Sequence, residues 1–556
     1  MRMIPPHGPR RYFPMMYDRE SPKYANFAIS YACSVPYRDS FMHIPHTVLM
    51  PQRVILKAVT LMAFLLLVPS FLPAQVSRYT VVYPSRITSG DYQGDYDLFS
   101  MSFFSDGLLS GDALNPRPVA SQGFRELAPV MIPDGEGGYI VAYTVEHSDP
   151  EHIGDRDILM RRVNHSGQNI WGDSANSVLV VAQSKFVEQN AKIVELADRS
   201  LMVLYEVHYG PSETADVDIA AVRIARNGTM LWESGVWVAN SKRREVLKNA
   251  VSDGQGGAVA VLEAITHRDS AHTSSDVLAQ HIDINGLVGW KDSGEPVIVA
   301  GSRHIERNAT VVSDGDGGVI VAYELEYVGS EREGDIDILA QRINRSGVRM
   351  WTNEANPPLV STNNKARERT PVMVRDSAGV VVAFEVSFKP DRAKDIVHVI
   401  GMQRLDSAGT PIWNGGKKSK LIGLRDDIAE RPQLLPDPVG GVYLIFEGYD
   451  STTANKDIYV QRVDSQGEQM WGDGEMPVAA LNSPDPEQDP VAVLDETGGL
   501  MLVASRKLSS EPVPGFNAIV AQRVALDGTF PWAQYMGPLV VVSSTYMNGR
   551  PALIRE

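Results

Sequence analysis

Four groups of side chains in this 556-residue chain have types and spacings that could do chemistry. The first is a recurring acid–base dipeptide. Arg125-Glu126, Glu306-Arg307, Glu368-Arg369 and Glu430-Arg431 share it, with Gln replacing Arg in Glu188-Gln189 and Glu487-Gln488. A guanidinium grips a carboxylate through two parallel hydrogen bonds, so Arg307, Arg369 and Arg431, with Glu306 and Glu368, are candidates to contact an acidic sugar. Their recurrence favours the plainer role of ion pairing between neighbouring repeats.

The second group is a set of Asp pairs at i, i+2: Asp95/Asp97, Asp155/Asp157, Asp216/Asp218 and Asp335/Asp337. On a strand, i and i+2 share one face, and two carboxylates there could contribute to a Ca²⁺ site, which takes six to eight oxygens. The competing expectation is that they cap a loop and pair with Arg162, Arg223 and Arg342 on the same strands. Asp314-Gly315-Asp316-Gly317 invites the Ca²⁺ reading more weakly. No cofactor is expected otherwise.

The third group is histidine in two segments read as loops. One holds His147 and His152 among Glu146, Asp149 and Glu151, the other His267 and His272 around Asp269. Spacing of five fits no strand or helix face, so solvated loop residues are expected over a transition-metal site. The fourth group is the Asn-x-Ser/Thr triplets at Asn164, Asn227, Asn308 and Asn344; three of them, Asn164, Asn227 and Asn344, fall in the repeat's glycine turns, where turn chemistry explains them. The chain contains no G-x-S-x-G elbow, phosphate-cradling loop, H-E-x-x-H or dinucleotide fingerprint.

The elements that position these residues come from a repeat. Trp171, Trp232, Trp290, Trp351, Trp413, Trp471 and Trp532 stand 61, 58, 61, 62, 58 and 61 residues apart, and only Trp237 falls outside the series. Residues 310–326 and 334–351 give the clearest copy, read as four strands. Thr310-Val311-Val312 is the first, and Asp314 to Gly318 the turn. Val319 to Glu324 is the second strand, Asp337 to Asn344 the third. Asn344-Arg345-Ser346-Gly347 is the next turn, and a fourth strand is expected to carry Trp351. Glycines supply the positive φ of the tight turns, and β-branched and aromatic residues fill the strands.

Seven full copies follow one another, and the chain ends supply an eighth. Arg78 to Tyr83 reads as a second strand and Asp95 to Phe99 as the start of a third. Arg550 to Ile554 matches the first strand of other copies, such as Arg431 to Leu435. Short antiparallel strands in fours, closed by the two ends, predict an all-β fold: an eight-bladed β-propeller of four-stranded antiparallel blades, with seven blades as the alternative. The Trp residues are expected to fill the gaps between blades.

The pattern D-G-x-G-G-x-I-V-A-Y-E … D-I-x-A-Q-R-I-x-x-x-G-x-x-x-W resembles the repeats of secreted bacterial β-propeller proteins of uncharacterised activity. The resemblance covers residues 78–556 and implies fold and export. The turn before each Trp, as in Asp464-Ser465-Gln466-Gly467-Glu468-Gln469-Met470-Trp471, also resembles the Asp-box of sialidases. The Gly-to-Trp spacing is one residue longer than in that family, and the Asp-box is a structural turn, so it carries no catalytic residue across.

Composition sets the remaining bounds. A net charge of −16 argues against nucleic acid, which needs a concentrated basic surface. Ala58 to Leu72 is a 15-residue apolar stretch after Arg53, ended by Leu72-Pro73-Ala74. It reads as a secretory signal over 50–75, with translation starting at Met50 and 1–49 an upstream extension; a membrane anchor is the alternative. Residues 76–556 then form the propeller domain, with 44 basic and 65 acidic residues, net −21, and without Cys33, the chain's one cysteine. No membrane span is expected after cleavage. The sum is an exported, monomeric, non-catalytic binding or scaffold module presenting variable loops to a glycan or protein. The alternative is a glycan-active enzyme, a sialidase-like hydrolase or polysaccharide lyase, acting at the channel mouth.

Overall fold

A computed structural model describes residues 76–556, apart from 88–93, 111–115, 122, 149–151, 173–176, 212–214, 270–271, 291–293, 330, 352–358, 362–365, 377, 390–395, 425–427, 450–454, 475, 510–516, 536 and 546–549. The readings of 1–49 as an extension and of 50–75 as a signal therefore lie outside the described residues. Among the described residues, no helix is long and apolar enough to cross a membrane.

The described chain is almost entirely strand. Its 32 strands pair as antiparallel four-stranded sheets, and successive sheets follow in chain order. Blade 1 joins the two chain ends: Ala552–Arg555 pairs with Arg78–Arg86, which pairs with Tyr96–Phe104, which pairs with Arg117–Ala120. Blades 2 to 8 span residues 125–182, 187–239, 244–300, 305–361, 366–422, 428–481 and 487–545. The first strands touch one another in sequence from Ala552–Arg555 through all seven other blades and back, so they form the inner ring. The fold is a β-propeller.

Second strands such as Leu201–His208 and Val319–Glu326 are buried along nearly their whole length. A blade is covered on both faces by its neighbours, so its inner strands read as continuous apolar runs rather than alternating ones. Each hydrophobic cluster accordingly spans two consecutive blades. Ile140, Ile158, Leu201 and Val203 join blades 2 and 3, and Tyr79, Phe103, Met501 and Val503 join blade 8 to blade 1.

The tryptophans lie in these seams as expected. Trp351 is not on the fourth strand, however. After the turn a single bridge pairs Ile343 with Arg349, and the fourth strand is Leu359–Ser361. The chain leaves the third strand at that bridge to cross to the outer edge, and the indole fills the inter-blade gap it passes. Trp171, Trp232, Trp351, Trp413 and Trp471 each donate through Nε1 to a carbonyl in the next blade's turn, that of Arg226, Ile284, Ser407, Ser465 and Leu526. A glycine lies under the ring: a Cβ on Gly409 (φ +81°) would meet Trp351 at 2.5 Å.

The turn aspartates and asparagines are equally structural. Asp464 Oδ1 accepts from the N–H groups of Gln466 and Glu468, and Asn164 and Asn344 do the same in their turns.

Candidate functional site

The first-to-second and third-to-fourth turns share one face, and the longer loops and blade connections share the other. The acid–base dipeptides, the Asp pairs and the histidines fall on the second face, whereas Asp314 and the turn asparagines Asn164 and Asn344 fall on the first. The acid–base dipeptides open the first strands there, and alternation sends their two members to opposite sides. Glu306 and Glu368 turn inward and are each 1% exposed. Ser302 Oγ donates to Glu306 Oε1 at 2.5 Å and Ser361 Oγ to Glu368 Oε1 at 3.2 Å. Burial raises the Glu306 carboxyl to about 7, and Glu188, held likewise by Ser184, to about 8. Glu368 rises to about 9 through burial and the nearby charge of Asp337.

The arginines take different partners. Arg307 pairs with Glu324 at 3.2 Å and Glu326 at 2.5 Å, both on the adjacent strand of its own blade. Arg431 pairs with Glu447 at 3.2 Å in its own blade and with Asp489 at 3.3 Å in the next, while its side chain stays 56% exposed. Arg369 has a buried Nε with no hydrogen-bond partner among the described residues. The expected ion pairing is thus mainly within a blade.

Contact between blades in this region runs through a set of glutamates that sequence reasoning did not single out. Glu206, Glu263, Glu324, Glu385 and Glu447, on second strands, accept from the backbone N–H of Leu247, Ala309, Thr370, Arg431 and Asp489 in the following blade. Each recipient strand carries a bulge there, and Asn308, Thr370, Arg431 and Asp489 have φ near +50°. A bulge turns an N–H out of its own ladder, and the glutamate satisfies it. The recurrent Glu immediately after the apolar core of the second strand was the available signal.

The Asp pairs do not meet Arg162, Arg223 and Arg342. Those arginines bind Asp134, Asp198 and Asp314 in the first-to-second turns, at 3.1, 2.5 and 2.9 Å. Asp157 and Arg162 are five residues apart, roughly 16 Å along a strand and on opposite faces, which excludes the pairing. Asp314 is committed to its own turn as well, accepting from Asp316 and Gly318 N–H.

In three of the four pairs the second Asp instead sits against the buried Glu that opens the following blade. Third and first strands run side by side in parallel at Arg156–Val187, Val217–Arg244 and Ile336–Arg367. This places Asp157 by Glu188, Asp218 by Glu245 and Asp337 by Glu368. The three copies differ in the side chain that bonds the aspartate. His147 Nε2 lies 2.8 Å from Asp157 Oδ2, and its ring packs on Phe124 at 4.6 Å and near His152 at 6.0 Å. Arg332 reaches both Asp335 and Asp337, at 2.6 and 2.7 Å, and lies over the Tyr327 ring. At Asp218 the partner is the Tyr209 hydroxyl, 2.8 Å away.

His147 and His152 are therefore brought together, with His147 serving the buried aspartate. His267 and His272 lie on the two paired arms Ala258–Asp269 and His272–Ile282, so that segment is the end of a hairpin rather than an open loop.

No known protein family and no curated protein matches the sequence. Among solved structures, the chain is similar to the polysaccharide lyase Uly1, at 10% identity over 72% of this chain and 90% of that one, with a TM-score of 0.39. The β-propeller domain of the Trilobed protease from Pyrococcus furiosus aligns at 9% identity over 76% and 97% of the chains, TM-score 0.38. An α-L-arabinofuranosidase from Fusarium graminearum aligns at 14% identity over 61% and 93%, TM-score 0.35. At these values the likeness carries nothing about activity, and the fold rests on the strand pairing itself.

Proposed function

We propose that this protein is an exported, monomeric, non-catalytic propeller that presents its loop-bearing face to a glycan or a protein. The observation that carries this reading is how the polar groups of that face are used. Arg307 is held by Glu324 and Glu326, and the five second-strand glutamates hold the next blade's backbone. Glutamates committed to the same structural bond in blade after blade are not at liberty to engage a substrate. What remains outward-facing is a rim of side chains around a rigid ring, of which Arg431 is the most exposed of the candidate arginines. Rigid scaffolds with variable loops suit recognition. The apolar stretch Ala58 to Leu72 supports export, and the net charge of −16 leaves nucleic acid aside.

The test is a glycan-array screen of the full chain, with and without Ca²⁺, followed by incubation with the glycans it retains. Selective retention without turnover is the expected result, with acidic glycans first. Release of shortened or unsaturated sugars would replace this reading with the glycan-active enzyme. Absence of any retention, joined with capture of an envelope protein, would move the ligand from glycan to protein.

A further inference from the structure

From the junction of blades 3 and 4, we infer a Ca²⁺ site built from Asp216, Asp218 and Glu245. Asp216 and Asp218 open the third strand of blade 3 (Val217–Ile224), and Glu245 opens the first strand of blade 4 (Arg244–Ser252). The two strands run parallel where Val217 meets Arg244, so the three carboxylates converge from two blades. One oxygen from each lies within 4.8 Å of the other two. Oxygens bound to one Ca²⁺ at about 2.4 Å can be at most about 4.8 Å apart, so one ion can reach all three.

An acidic cluster by itself would say little, but the hydrogen bonding points further. Asp218 is 7% exposed and Glu245 2%. Tyr209 donates its hydroxyl to Asp218 Oδ2, and Ser241 donates to Glu245 Oε1 through Oγ and its backbone N–H. That leaves Asp218 Oδ1 and Glu245 Oε2 buried with no partner among the described residues. A buried carboxylate oxygen without a donor is costly, and here two belong to one three-carboxylate cluster; Asp337 Oδ1 and Glu368 Oε2 are likewise without a donor at blades 5 and 6, where Arg332 supplies a cation.

The repeat supplies an internal control. In the copy at blades 5 and 6, Arg332 lies between Asp335 and Asp337, beside Glu368. In the copy at blades 2 and 3, His147 serves Asp157. Among the described residues, no basic side chain forms an ion pair with Asp216, Asp218 or Glu245; the nearby Arg244 gives its Nη1 to the carbonyl of Ala215. The same architecture thus carries a built-in arginine in one copy and a histidine partner in another, and has neither in the third. Donors that are all oxygen select a hard cation, and the exposed Asp216 gives it a route in. A bound Ca²⁺ would tie blade 3 to blade 4 at the loop-bearing face.

The test uses the full chain stripped with chelator and dialysed, then titrated with Ca²⁺ by calorimetry and followed by thermal unfolding. The expected result is Ca²⁺ uptake with a Tm raised by a few degrees. Asp216→Asn, an exposed change that leaves the core intact, and Glu245→Gln should each weaken that uptake about tenfold or more and abolish the Tm rise. Metal-free Glu245→Gln should melt no lower than the metal-free wild type, because a buried charge has gone. Glu368→Gln should keep the Ca²⁺ response. A wild-type chain that takes up no Ca²⁺, or uptake undiminished in both Asp216→Asn and Glu245→Gln, overturns the site.

Discussion

The indole Nε1 of Trp532 donates to the carbonyl oxygen of Ser105, 3.1 Å away and 427 residues earlier in the chain. It is the same bond that Trp171, Trp351, Trp413 and Trp471 make to the next turn along. Here the next blade is the first, so the repeat's ordinary seam becomes the closure of the ring. Arg523 adds a bond to the same carbonyl, and Glu556 pairs with Arg78 at 3.3 Å.

Breaking that seam should cost more than breaking an open one. Trp532→Ala removes a 3% exposed indole from the cluster joining blades 8 and 1 and should lower unfolding free energy by about 3–5 kcal/mol. Trp471→Ala, at an equally buried ring (4% exposed) in a seam between consecutive blades, should cost less. Urea titration of both variants measures the difference, and equal losses would show that closure has no special weight.

The bulge contacts between blades give a second expectation. Glu324 Oε1 accepts from the N–H of Thr370 at 2.6 Å and from Asn308 Nδ2 at 2.8 Å. Glu324→Ala leaves both donors unmet and should cost about 2–3 kcal/mol, whereas Glu324→Gln, which keeps an acceptor, should cost less. Glu326→Ala breaks a more exposed pair with Arg307 and should stay under about 1 kcal/mol. Denaturant midpoints read all three.

Stability should also depend on pH in a direction opposite to the usual carboxylate. Burial lifts Glu306 to about 7, Glu188 to about 8 and Glu368 to about 9. Below about pH 4.5 these groups hold a proton folded or unfolded and contribute nothing. As pH rises, the unfolded chain releases those protons first, so stability falls from about pH 4.5 until each folded-state value is passed. Glu306→Gln should flatten the decline between about pH 4.5 and 7 while keeping the Ser302 hydrogen bond. Thermal unfolding across pH 4 to 9 checks this, and a slope unchanged by the substitution would refute the assignment.

For recognition, Arg431 separates binding from folding. Its side chain is 56% exposed, so Arg431→Ala should shift stability by no more than about 1 kcal/mol. If acidic glycans bind the rim, the same change should weaken them by about tenfold, and affinity unchanged in Arg431→Ala and Arg369→Ala together would place the ligand elsewhere.

Much of the fold was legible because it is written locally and repeatedly. Tryptophan spacing, glycine turns and continuous apolar second strands each follow from what a single blade requires of its own residues, and Arg78 to Tyr83 with Arg550 to Ile554 carried the closing strands. Trp351 was misplaced onto a strand because the residues between a turn and an edge strand obey no periodicity.

The polar chemistry was not legible, because it is made between blades. The Asp-x-Asp spacing was visible at Asp216/Asp218, but its third carboxylate, Glu245, stands 27 residues beyond Asp218 and meets it only where two strands of different sheets run parallel. Arg162 was matched to the wrong aspartate for the same reason: its partner Asp134 lies across a hairpin, at the opposite end of the strand from Asp157. Sequence by itself determined the repeat, the strand order and the residue types available at each rim. Tertiary structure alone decided which charges are buried, which neutralise one another and which are left over, because the electrostatic energy of a carboxylate depends on distances of a few ångströms between segments that sequence separation does not encode.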